Sequence, residues 1–105
     1  MNEISLDVSA LPQAITIGRR TETGVLDVRI DCSAWLAEWP GLRVSLWVTP
    51  PGGAAAPVPT RMDGKVLVWP ISDTDTACSG QGTMEVVGEA NGVRKLSSIA
   101  KTNIT

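Results

Sequence analysis

The sequence predicts an all-β domain, an antiparallel sandwich or barrel of about seven short strands. Three observations carry that reading. Apolar residues recur with period two in short runs. Gly and Pro interrupt those runs every ten or so residues, the spacing of strands and turns in such folds. The only helix candidate of note, 33–39, is too short to stand alone and is stopped by Pro40-Gly41.

The clearest strand is 25–32, where Leu26, Val28, Ile30 and Cys32 face one way and Asp27, Arg29 and Asp31 the other. That alternation marks a half-buried strand. The run 42–49 repeats it with Leu42, Val44, Leu46 and Val48, and Pro50-Pro51-Gly52-Gly53 ends it. Pro57-Val58-Pro59 fits only a sheet edge, because proline cannot donate to a ladder. Asp63-Gly64 reads as a hairpin turn whose two residues supply the positive φ values, with 65–71 returning. Ser72 to Ala77 reads as a polar connection of about one helical turn, capped by Ser72 or Asp73. Ser79-Gly80-Gln81-Gly82 reads as another turn, 83–90 as a strand, Asn91-Gly92 as a hairpin and 93–105 as its return. Earlier strands are expected near 4–8 and 15–17.

The chain has 105 residues, 43% of them hydrophobic, and a net charge of −2. That fits one domain able to hold a core without staples. The nine basic residues form no cluster beyond Arg19-Arg20. Nucleic acid, whose phosphates demand clustered Lys and Arg, is therefore not an expected partner. No apolar stretch approaches the roughly 20 residues that span a membrane. The N-terminus lacks the charged and apolar regions of an export signal, and no membrane partner is expected.

Histidine is absent. This removes the commonest general base and the commonest zinc ligand. Gly80-Gln81-Gly82 leads into a strand, so it lacks the helix N-terminus that phosphate loops use. No nucleophile, base or ligand set emerges, and the sequence predicts no catalytic residue, no metal site and no cofactor.

Cys32 and Cys78 flank Trp47 in the order seen in antibody domains, but no tyrosine corner can form in a chain without tyrosine. Alternating strand directions put the two cysteines at opposite ends of a sandwich, so a disulfide is disfavoured. Asp73 and Asp75 have the spacing of a shared divalent ion. Without a further acidic ligand downstream they read better as turn-forming residues that bind backbone amides.

All four aromatic residues are tryptophans, and they are the candidate binding residues: Trp35, Trp39, Trp47 and Trp69. Trp47 has the parity opposite to Leu46 and Val48. Trp69 shares parity with Leu67 and Ile71, while Val66 and Val68 point the other way. Both faces of that strand are apolar, so one serves the core and the other needs a cover from a loop, a subunit or a ligand. Trp35 and Trp39, four apart, either cap one end of the sandwich or anchor a partner.

The order of these features resembles a known family. A strand ends in Asp31-Cys32-Ser33, a crossover carries Trp35, and Leu46-Trp47-Val48-Thr49-Pro50-Pro51-Gly52-Gly53 follows. Pro57-Val58-Pro59, Asp63-Gly64, Trp69, Ser72-Asp73-Thr74-Asp75-Thr76, Gly80-Gln81-Gly82 and Asn91-Gly92 complete the series. It is similar to the N-terminal β-sandwich domains of baseplate upper proteins and related tail proteins, from phages and prophages of Gram-positive bacteria. The resemblance implies an immunoglobulin-like sandwich that docks a longer protein onto the virion. Its partners would be other virion or tail proteins, or further copies of itself, and its place the virion after synthesis in the bacterial cytoplasm. Such proteins continue into helical, often trimeric, segments; 1–105 carries no heptads. A carbohydrate-binding or adhesin-like sandwich is the alternative, and it requires an exposed, coplanar tryptophan pair.

Overall fold

A computed structural model describes residues 2–105. Ten strands and one helical turn follow in the order β1 (Asn2–Asp7), β2 (Ala14–Gly18), β3 (Leu26–Asp31), α1 (Ser33–Glu38), β4 (Arg43–Thr49), β5 (Ala56–Pro57), β6 (Arg61–Asp63), β7 (Val66–Pro70), β8 (Gly80–Ala90), β9 (Val93–Leu96) and β10 (Ala100–Ile104). They form two sheets. Sheet A has the order β1-β3-β7-β6; sheet B has the order β2-β10-β8-β4-β5, with β9 also paired to β8.

The all-β sandwich expectation is met, with three refinements. There are ten strands because the edges contribute short pieces, β5 and β6, and because the last run divides into β9 and β10. Most pairings are antiparallel, but β1 runs parallel to β3 and β2 parallel to β10. The chain starts in sheet A, crosses to sheet B as β2 and returns as β3, so β1 and β3 enter their sheet in the same direction. The Asp63-Gly64 hairpin is shifted by one residue. Asp63 pairs with Val66, so the loop is Gly64-Lys65. Gly64 alone has a positive φ, 62°, at the first loop position, where a type II′ turn needs glycine.

The inner faces follow the alternation. Val28 and Ile30 of β3, Leu67 and Trp69 of β7, Leu46 and Val48 of β4, and Met84 and Val86 of β8 all join one buried cluster. Cys32 and Trp35 close one end of it. Cys32 is buried and unbridged, and Cys78 is exposed and unbridged.

Gly80-Gln81-Gly82 is not a turn. It opens β8, and Thr102 of β10 pairs with Gly82. Ser72 to Thr76 does form the expected polar turn: Asp75 Oδ2 accepts from Ser72 N at 2.9 Å and Ser72 Oγ at 3.0 Å. Asp75 thus organises the turn, and Thr76 N donates to Ser72 O at 3.2 Å.

Two hydrophobic side chains are buried on the outer faces, outside the central cluster. Val68 is 0% exposed although it points away from the core. Its cross-strand neighbours are Arg29 and Arg61. Arg29 Nη2 lies 2.7 Å from Asp63 Oδ2, and Arg61 Nη2 lies 3.9 Å from Asp27 Oδ2. The aliphatic stems of two ion-paired arginines flank Val68, as long cationic side chains do over apolar surface. The second apolar face of β7 therefore finds its cover within its own sheet. Val87 is the counterpart on sheet B, flanked by Ser45 and Leu96.

Candidate functional site

The four tryptophans do not converge. Trp69 is 0% exposed in the core, and Trp35 is the buried residue of α1. Neither can reach a partner, which corrects the placing of Trp69 and Trp35 among the binding candidates and leaves Trp35 the capping alternative. Trp69 points inward because it pairs with Val28, itself a core residue, and the inner parity of β7 is Leu67 and Trp69. Trp35 turns inward because Gly88 leaves room: a β-carbon there would sit 3.2 Å from Trp35 Cε3 and 2.6 Å from Leu42 Cδ2. Trp39 is half-buried at the same end, and Lys95 Nζ lies 5.9 Å from its ring centroid. This is the capping role, with a cation over an aromatic face.

Trp47 is different. It sits on the outer face of sheet B, half-buried, as its parity predicts. Along its row Trp47 lies opposite Glu85 on one side and Pro57 on the other. In the next row Ser45 pairs with Val87, which pairs with Leu96. Ile99 borders the same hollow of about 110 Å³ as Trp47, with Thr49, Ala55, Thr83 and Glu85. Leu96 is 49% and Ile99 63% exposed, and both are large hydrophobic residues. The result is an apolar stripe of Trp47, Pro57, Leu96 and Ile99, over buried Val87, with one carboxylate set in it.

Leu96 and Ile99 escape the sequence reading. A single strand over 93–105 would give 96 and 99 opposite faces. The chain instead breaks pairing at Ser97 to Ile99. Ser97 Oγ accepts from Val86 N at 2.8 Å, and Ser97 N donates to Val86 O at 3.0 Å. Register against β8 shifts by one residue across this break, from Val87↔Leu96 to Met84↔Ala100. Both side chains therefore emerge on one face, as a β-bulge makes possible. The Ser97-Ser98 pair inside an otherwise strand-like run is the signal in the sequence.

The two outer faces differ in charge. Sheet A presents Glu3, Asp7, Asp27, Asp31 and Asp63 against Arg29 and Arg61. Arg29 beside Asp63 holds that carboxyl below its ordinary range. β1 and β3 also end alike. Asp7 accepts from Ser9 N and Ser9 Oγ, Asp31 accepts from Ser33 N and Ser33 Oγ, and the two aspartates are cross-strand neighbours. These serine hydrogen bonds lower both carboxyl pKa values, outweighing burial and, at Asp7, the nearby Asp31 charge. Sheet B presents Arg43, Arg94 and Lys101 against Glu85 and Glu89. Among the described residues, both ion pairs lie on sheet A, so the charges around Trp47 carry none.

An apolar stripe rimmed by uncommitted charges of both signs has the chemistry of a protein contact surface. Among the described residues, no group of three potential metal ligands comes together, and no helix is long and apolar enough to cross a membrane. No family model and no curated protein matches this chain.

Proposed function

We propose that the chain is a non-enzymatic assembly module of a phage or prophage tail baseplate, docking a longer tail protein to the virion. The observation that carries the docking role is the outer stripe of sheet B, where half-buried Trp47 is joined by Leu96 and Ile99, the two most exposed large hydrophobic residues among those described. The virion setting rests on the similarity of the turn and edge residues to baseplate upper proteins. The lack of histidine, the use of Asp75, Asp31 and Asp7 in local hydrogen bonds and the pairing of Asp63 with Arg29 support a role without catalysis.

The carbohydrate-binding alternative has less support. It needs two tryptophan rings side by side on exposed surface, and Trp35 and Trp69 are core while Trp39 packs at the α1 end. Particles purified after prophage induction, probed with an antibody raised against this chain, test the proposal. Labelling at the tail tip is expected; particles free of the chain would contradict it.

A further inference from the structure

The stripe on sheet B is self-complementary. Its rows, read across β8 and β4, are Thr83-Thr49, Glu85-Trp47, Val87-Ser45 and Glu89-Arg43. A rotation of 180° about an axis parallel to the strands, between β8 and β4, lays β8 of one copy over β4 of another. That operation sets Trp47 against the second copy's Glu85 and Arg43 against the second copy's Glu89, each twice. Ile99 comes to lie against the second copy's Pro57. No like charges meet on these rows. The indole N–H of Trp47 is a donor, and a carboxylate is its strongest acceptor.

We propose that the outer face of sheet B is covered by the same face of a second copy of this chain, in a two-fold dimer. The inference rests on reading this face as a docking surface and names its occupant. Two-fold contacts use one patch on both subunits, which requires the patch to complement itself. The molecule measures 37 × 28 × 21 Å, so its broadest cross-section is at most about 1,000 Å², and the contact would take up most of one broad side. A stable interface buries about 800 Å² per partner. Aligned packing of two sheet faces is a standard arrangement, with strands within about 30° of one another. Sheet A cannot pair with itself in this way. Its outer face carries five carboxylates, and its arginines are already committed to Asp63 and Asp27.

Analytical ultracentrifugation of the whole chain tests this. The wild type is expected to be a dimer. Arg43→Glu alone and Glu89→Arg alone each place like charges in contact twice, and each is expected to weaken the dimer by at least about tenfold. An equimolar mixture of the two variants is expected to regain it. The acidic side chain introduced at 43 then faces the basic one introduced at 89, and the native Arg43 faces the native Glu89. Charge repulsion within one chain cannot account for recovery on mixing. Ile99→Asp, at an exposed position, is a second variant expected to weaken the dimer without affecting folding. A wild type that stays monomeric up to about 1 mM overturns the proposal, as does a mixture no more dimeric than its components. The two readings fail separately. A monomer that still labels tail tips ends the dimer and keeps the assembly module; a dimer absent from particles does the reverse.

Discussion

The carbonyl oxygen of Thr49 occupies the space beside Gly82: a β-carbon on Gly82 would lie 2.2 Å from it and 3.0 Å from Thr102 Oγ1. Gly82 is therefore required by the close approach of two backbones within sheet B, not by a turn. Its φ is not among the positive ones. Gly82→Ala forces either β4 or β8 to shift. The expected cost is about 2–3 kcal/mol, the upper part of the range for overpacking, read from urea denaturation. Gly52→Ala, where nothing lies within 4 Å, costs only through its positive φ of 72° and is expected to cost less.

This glycine shows where sequence reading stops. The pair Gly80 and Gly82 looks the same whether it bends the chain or admits a neighbour, and only the partner strand decides. The parity of 42–49 is legible because one face meets the core and the other does not, and it puts Trp47 on the outer face where the structure has it. Trp69 was harder. Val66 and Val68 made both faces of β7 apolar, and the cover for Val68 comes from Arg29 and Arg61 on strands distant in sequence. Leu96 and Ile99 were hidden because one bulged residue changes the face of everything beyond it.

Cys32 is expected to be inert and Cys78 reactive. Burial pushes the Cys32 thiol from 9.0 up to about 11, while Cys78 is exposed. Titration with a thiol reagent at pH 8 should modify one cysteine in the native protein and two in denaturant. The raised folded-state value also sets a pH dependence. Below pH 9 the thiol is protonated in both states and has no effect. Between about 9 and about 11 the unfolded chain releases the proton first, so stability falls as pH rises. Cys32→Ser should flatten this part of the profile.

Ser33→Ala is expected to raise the pKa of Asp31 towards the ordinary carboxylate range, because the hydroxyl is its leading hydrogen-bond donor. Asp7, held by Ser9, should keep its low value, and NMR titration of the two carboxyls distinguishes them. Depressed folded-state values stabilise the native state above the unfolded pKa. That contribution is lost as pH falls below about 4 and through the folded values. Ser33→Ala should make the acid limb of the stability profile shallower.

Trp69→Ala is expected to cost about 3–5 kcal/mol, since the ring is fully buried at the centre of the cluster. Trp69→Phe is expected to cost less. It removes the indole Nε1, which is buried without a hydrogen-bond partner, so part of the lost packing is offset by relief of an unpaired donor. Thermal melts of the two variants give the comparison.

In the proposed function the Trp47 face of sheet B makes the contact through which the chain assembles. Incorporation of Ile99→Asp and Glu3→Lys chains into tail particles tests it most directly, with thermal melts showing both folded. Ile99 is 63% exposed beside Trp47, and Glu3 lies on the outer face of sheet A. Ile99→Asp is expected to be lost from particles while Glu3→Lys is retained. Retention of Ile99→Asp at the wild-type level would contradict it.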